Sequence, residues 1–570
     1  MNTIIKNLIG DFLKSEEIKS TSASKDFENF CNFSVISSEY KSDFSTQDIS
    51  LGQTQGIDGL AIIVNGNLVT TTEEIDDLVA RNNFIEASFI FIQTKSSDFF
   101  EGADISNFFV SVIDFLSEDP KSVQTVEIKR AIALKNKIWE YVSKMTKGKP
   151  ICKIYYITTG TWLNDKSLES RIEGHRLDIE KLSLFKDIKI FPCGANEIQQ
   201  FYLQTKRVTE CEFTFDKHIV LPVENGVQEA YFGIVKFEEF KKIISDSDGD
   251  IKDIFYENVR DFLGDSNTVN KEIETTLSNK EFDIFCILNN GVTIVANSKT
   301  NRGNKFFIEN YQIVNGCQTS NVLFNNKEMT GIDQVYIPLK LIVTEDEDIQ
   351  SKIIIATNNQ TSIPKEQLEA FSRFQKDLEL FYESEQDINA KLFYERRQKQ
   401  YQDKEISRPR IVTIREQIKS FAAMFLDQPH VASGYFSKVY KNNKEQMFMS
   451  GHKFDSYFIS SLSMYRLDSF FRDELLNKKY RIARYHILMI FRMLIEKSNG
   501  ISLPYLNSRD IEDFCERIKI ILLDDKKSIE YFIESIKIID SIKSINIEDQ
   551  KTLYLSENTE ALKEKIIKKQ

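Results

Sequence analysis

The chain reads as a mixed α/β protein that closes in helices, and three observations carry that reading. Between residues 59 and 192 short apolar runs alternate with stretches of helical period, and the middle of the chain repeats this alternation around Asn-Gly turns. Beyond residue 415 apolar residues recur at three- and four-residue intervals with few Gly or Pro to interrupt them. The expected organisation is a mixed sheet with helical cover over residues 1–207, a central α/β core over 208–415, and a helical domain over 416–570.

The elements follow in order. Gly56-Ile57-Asp58-Gly59 opens a first strand, and the pair Asn65-Gly66 between apolar residues predicts a tight hairpin. A short helix is expected over 71–81, then a strand ending Phe89-Ile90-Phe91-Ile92-Gln93-Thr94-Lys95. Helical runs over 105–116 and 126–145 lead to an apolar strand over 151–160, and a further helix leads to a strand over 187–192. Helices that connect strands in this way imply parallel neighbours in a mixed sheet.

The last residues of the third strand carry chemistry. Side chains alternate between faces, so Phe89, Phe91, Gln93 and Lys95 share one face, with Gln93 and Lys95 roughly 7 Å apart. A Gly-flanked Asp58 at the mouth of the neighbouring strand can converge on them. The Asp58 carboxylate and the Gln93 amide carbonyl are oxygen ligands of the kind that Mg²⁺ or Mn²⁺ takes. The Lys95 ammonium can steady an attacking hydroxide while the metal offsets charge on a phosphate. The same residues also fit a plainer account, a capping Asp in a Gly-rich turn and a strand that ends in solvent.

Asp58, Gln93 and Lys95 resemble the D…QxK signature of the PD-(D/E)xK nuclease superfamily, in particular the Mrr-like restriction endonucleases whose second acidic residue is replaced by Gln. The resemblance implies a restriction-endonuclease-like N-terminal domain and a carboxylate on its first helix. Glu28, within Asp26-Phe27-Glu28-Asn29-Phe30, is the candidate, with Glu39 as its competitor. Two departures stand out: Gln is a neutral and poorer metal ligand than Glu, and the interval from Asp58 to Gln93 is long enough to hold an extra helix. Glu86 falls on the opposite face from Lys95.

Composition bounds the remaining possibilities. A length of 570 residues allows about three or four domains. Seven cysteines without a C-x-x-C pair and five scattered histidines suggest neither a zinc knuckle nor a disulfide framework. The opening residues lack signal-peptide architecture and no apolar run approaches the roughly 20 residues that span a bilayer, so a cytoplasmic protein without a membrane partner is expected. The net charge of −12 argues against indiscriminate nucleic-acid binding but leaves room for a basic cleft. Arg396, Arg397 and Lys399, continuing through Lys404, Arg408, Arg410 and Arg415 with Tyr394 and Tyr401 interleaved, are the candidate nucleic-acid contacts. A solvated flank is the competing account of that stretch.

A second signature lies in the middle of the chain. Residues 282–295 read as strand, polar turn at Asn289-Asn290-Gly291, and strand. Residues 311–320 read as a strand that breaks at Asn315-Gly316 and continues into a helix, where Asn315, Gly316, Gln318 and Thr319 are candidates for binding a phosphate or nucleotide. A purely structural turn satisfies the same residues. These segments, with Glu257-Asn258-Val259-Arg260-Asp261-Phe262-Leu263-Gly264, Ala356-Thr357-Asn358-Asn359-Gln360-Thr361 and Phe393-Tyr394-Glu395-Arg396-Arg397, resemble the core of the AIPR family, named for abortive infection and phage resistance. Residues 315–319 are also similar, more distantly, to the DGQ-type loop of ParB-like domains, some of which bind or hydrolyse nucleotides; here Asn replaces its Asp and its Arg after Gln is lacking.

Together the resemblances imply a bacterial anti-phage defence protein and a metal-dependent endonuclease using Mg²⁺ or Mn²⁺, with DNA ahead of RNA as its target. A homo-oligomer or a partner in a multi-subunit defence system would fit. The alternative is a catalytically silent module that senses nucleotide or nucleic acid, or a scaffold.

Overall fold

The computed structural model describes residues 2–40, 42–51, 56–121, 125–206, 209–223, 226–246, 249, 251–252, 254–255, 275–346, 349–350, 352–353, 356, 365–396, 400–401 and 404–568. Two compact units result, one formed by residues 1–206 together with 376–570 and the other by 207–375. Both have the mixed α/β character read from the sequence.

In the first unit α1 (Thr3–Ser15) and α2 (Ala23–Glu39) precede a short α3 (Thr46–Ile49) and the hairpin β1 (Gly59–Val64) and β2 (Asn67–Leu68). Asn65 and Gly66 both take positive φ, as a tight hairpin turn between twisted strands requires. α4 (Thr72–Asn82) starts on a capping box between Thr71 and Glu74. After it come β3 (Ala87–Lys95), α5 (Gly102–Leu116), α6 (Val126–Glu140), β4 (Ile151–Thr158), α7 (Lys166–Lys181), β5 (Asp187–Cys193) and α8 (Ala195–Thr205).

The sheet runs β2-β1-β3-β4-β5. β1 is antiparallel to both of its neighbours, while β3, β4 and β5 are parallel. Both faces of β3 are covered, which explains its almost unbroken apolar run. Ile90 and Ile92 join a core with Phe27, Phe30 and Tyr202 from α2 and α8. On the other face Phe91 meets Phe115 of α5 edge to face at 5.5 Å.

The C-terminal helices belong to the same compact unit. Phe454–Arg472 packs on Ile414–Phe425, where the rings of Phe421 and Tyr457 stack at 4.0 Å. Ion pairs tie these helices and the segment before them to the N-terminal residues: Arg408 to Asp43 at 2.9 Å, Arg410 to Glu17 at 2.7 Å and Lys419 to Glu74 at 2.9 Å. The final helix, Ser556–Lys568, is amphipathic and buries Leu562 and Ile566.

The second unit holds a six-stranded sheet. Its strands are β6 (Glu210–Thr214), β7 (Lys217–Val220), β8 (Glu229–Lys236), β9 (Val292–Arg302), β10 (Lys305–Asn315) and β11 (Tyr336–Val343), in the order β6-β10-β9-β11-β8-β7. The β9/β11 pair is parallel and the other pairs are antiparallel. Before β9 the structure departs from the sequence reading: Phe282–Ile284 and Phe285–Leu288 are helical. Only Phe282 and Phe285 of this run are buried while Ile284, Ile287 and Leu288 face solvent, a three-residue spacing that a strand cannot supply.

Among the described residues no helix is long and apolar enough to cross a membrane.

Candidate active site

Close packing places Asp58. Gly56 has φ +93° and a Cβ there would lie 2.4 Å from Ser111 Oγ, while a Cβ on Gly59 would lie 2.4 Å from Asn32 Oδ1. Glycine on each side therefore lets the turn press against α2 and α5. The Asp58 N–H donates to the Ile92 carbonyl at 2.9 Å, which locks the residue to β3. Its Oδ2 accepts three hydrogen bonds, from the Thr94 N–H at 2.7 Å, the Thr94 hydroxyl at 2.8 Å and the Gln93 amide at 2.8 Å.

The candidate residues come to this point from both faces of the sheet. Gln93 is buried, and its Oε1 has no hydrogen-bond partner. Lys95, about a third exposed, pairs with Asp104 in the first turn of α5 at 3.3 Å. From the α2 side, Glu28 pairs with Lys25 at 2.5 Å. Glu28 also senses the charge of Asp58. Burial raises the Glu28 carboxyl above the usual range, the Asp58 charge raises it further, and Lys25 opposes both. Burial likewise raises Asp58, offset by the Thr94 hydrogen bonds and by Lys25 and Lys95.

Glu39 is placed elsewhere, held by Lys153 at 2.5 Å and by the Tyr155 hydroxyl. Glu86 lies just outside β3, with Lys147 at 3.7 Å and Lys186 at 3.9 Å.

Asp58, Glu28 and the free Gln93 oxygen offer oxygen donors only, and both carboxyls stay raised by burial although Lys25 and Lys95 oppose it. That donor set fits a hard divalent cation. Three residues of the site were missed in the sequence. Thr94 acts largely through its backbone N–H, which residue type does not advertise, although its alternation to the opposite face was legible. Tyr156 faces Gln93 across the β3/β4 register, which a single strand does not reveal, and Asp104 depends on how α5 docks.

In the second unit, Asn315, Gly316, Gln318 and Thr319 do gather at a helix start. β10 bulges between Ile313 and Asn315, and Gly316 at φ +90° begins the helix Cys317–Asn325. A Cβ on Gly316 would lie 2.7 Å from the Gly291 carbonyl oxygen, and one on Gly291 2.5 Å from that of Pro338. The two Asn-Gly turns are thus packed joints whatever else they do. Gln318 Oε1 is buried without a hydrogen bond, which leaves an acceptor open at that helix start.

Arg396 forms a nearly buried ion pair with Glu379, and Tyr394 and Tyr401 are core residues and not exposed stacking platforms. Arg397 and Lys399 lie outside the described residues, as do 257–264 and 357–361.

A family model described as AIPR protein matches residues 255–544, half of the chain. No curated protein and no solved structure matches it.

Proposed function

The chain belongs to the AIPR family, and from that premise we propose that it serves bacterial antiviral defence by metal-dependent cleavage of phosphodiester bonds in nucleic acid. The observation that carries the catalytic half is the Asp58 carboxylate, fastened to Gln93 and Thr94 beside an unpartnered Gln93 oxygen and the Lys95 ammonium. Asp58, Gln93 and Glu28 would hold Mg²⁺ or Mn²⁺. Such a cation supplies charge neutralisation at the phosphate.

The protein's own groups do the rest. Thr94 and Gln93 keep Asp58 in one orientation, and the buried setting strengthens every interaction with a developing charge. Lys95, held in a partly exposed pair with Asp104, can exchange that partner for a phosphate oxygen or a hydroxide. Hydrolysis forms one P–O bond from water and breaks the P–O bond to the leaving sugar oxygen, which takes up a proton from solvent.

The test is incubation of the purified protein with plasmid, linear DNA and RNA, with and without Mg²⁺ or Mn²⁺. Cleavage should need the metal and should be lost in Asp58→Ala and in Lys95→Ala, while Gln93→Glu is tolerated. Wild-type cleavage by Asp58→Ala would remove the assignment.

A second reading, nucleotide or nucleic-acid sensing by residues 315–319, is favoured by the open Gln318 acceptor at the helix start. Titration of the full chain with ATP, GTP and short oligonucleotides should show binding weakened by Gln318→Ala. Absence of binding makes the turn structural.

A further inference from the structure

The Tyr156 hydroxyl is buried without a hydrogen-bond partner, as is the Gln93 oxygen. The two residues are Cα partners in the parallel β3/β4 ladder, so their side chains leave the same face of the sheet on strands about 4.8 Å apart. A buried polar atom left unpaired loses its bonds to water without replacing them, and such atoms call for an explanation. Here one orphan is a donor and the other an acceptor, and they do not bond each other.

The surroundings hold the phenol in place and keep it a donor. Its ring lies against Phe100 at 6.1 Å and Phe108 at 6.2 Å, and Phe100 in turn packs edge to face on Trp162 at 5.0 Å. Burial raises its pKa, and the carboxylates of Asp104, Glu101 and Asp58 raise it further, so the proton stays on at neutral pH. Lys95 stands two residues beyond Gln93 on the same face. A cation alone would satisfy the Gln93 oxygen and leave the phenol stranded. A phosphodiester accompanied by its cation satisfies both, with an anionic oxygen for the hydroxyl and a positive charge for the amide oxygen.

We propose that Tyr156 is a substrate-contacting residue of this site, its hydroxyl donating a hydrogen bond to a non-bridging oxygen of the scissile phosphodiester while Gln93 faces the metal. The proposal rests on the cleavage reading above. Of the residues in the sequence motif, Asp58, Gln93 and Glu28 would be taken up by the cation, which leaves Lys95 alone to meet the phosphate oxygens unless a further donor such as Tyr156 joins it.

Tyr156→Phe keeps the ring and removes only the hydroxyl. The variant should fold, and its Tm should rise by about 1–3 °C because an unpaired buried group has been deleted. Mn²⁺ affinity, read by electron paramagnetic resonance, should be unchanged, whereas Asp58→Ala should lose it. Cleavage should slow by about 10- to 100-fold. Affinity for a DNA oligonucleotide in Ca²⁺, measured by fluorescence anisotropy, should fall about 5- to 10-fold.

Wild-type cleavage and affinity in Tyr156→Phe would overturn the proposal and leave the cleavage reading standing. A lowered Tm would also overturn it, by showing that the hydroxyl already has a structural partner, and so would loss of Mn²⁺ affinity. A wild-type protein that cleaves neither DNA nor RNA in Mg²⁺ or Mn²⁺ ends the cleavage reading itself and this proposal with it.

Discussion

Thr94 grips Asp58 twice, giving its backbone N–H at 2.7 Å and its hydroxyl at 2.8 Å to the same carboxylate oxygen. The two groups leave β3 in different directions, so the carboxylate is fixed in position and in rotation. This local arrangement converts a flexible side chain at a strand mouth into an oriented carboxylate.

Thr94→Val removes the hydroxyl and keeps both the N–H and the shape. Asp58, already raised by burial, should rise further, because a hydrogen bond to its ionised form is gone. With Asp58 holding the metal as proposed, protons would compete for it, so Mn²⁺ affinity should weaken as pH falls in the wild type and at a higher pH in the variant. A loss of about tenfold is expected. Mn²⁺ titrations at pH 6 and pH 8 check this, and equal curves for both proteins would remove Thr94 from the site.

Gly316→Ala should destabilise the second unit by about 1–3 kcal/mol in urea unfolding, because φ +90° is strained for alanine and its Cβ would meet the Gly291 carbonyl at 2.7 Å. The effect should appear without any ligand. Gln318→Ala at the same helix start should cost little, so the two variants separate the joint from any binding role.

Arg396 and Glu379 are predicted to matter for folding before recognition. Removing one partner of a nearly buried ion pair costs about 3–5 kcal/mol, so Arg396→Ala and Glu379→Ala should each lower the urea midpoint, and the double variant should lose less than their sum. The salt dependence of nucleic-acid binding should not change. A slope reduced by about one unit in Arg396→Ala would restore this residue as a phosphate contact.

Glu73 offers a pH test in the first unit. Burial raises its pKa from 4.5 to about 7, with the Asp76 charge adding to the rise against hydrogen bonds that oppose it. A folded pKa above the unfolded value means that its contribution is complete below pH 4.5 and is lost as pH climbs through 7. Glu73→Gln lacks this loss. Between pH 4.5 and pH 8 its stability should gain about 1–2 kcal/mol relative to wild type, discounted for partial exposure. Parallel denaturation curves across that range would contradict the shift.

Local pattern alone determined a good deal of this protein. The Asn65-Gly66 hairpin, the strand ending at Lys95, the common face of Gln93 and Lys95, and the strand-to-helix break at Gly316 all follow from periodicities of two or 3.6 residues and from backbone conformations that glycine reaches readily. The mixed α/β class follows from the order of those elements. Tertiary structure alone decided the helical state of Phe285–Leu288, because a short apolar run has no period of its own to choose between strand and helix. It also decided the fate of the basic stretch, whose Arg408 and Arg410 find Asp43 and Glu17 more than 360 positions away. The facing of Tyr156 and Gln93 belongs to the same class, since register is a property of two strands together. Periodicity resides in a few adjacent residues, whereas charge pairing and strand register arise only when distant segments share one core.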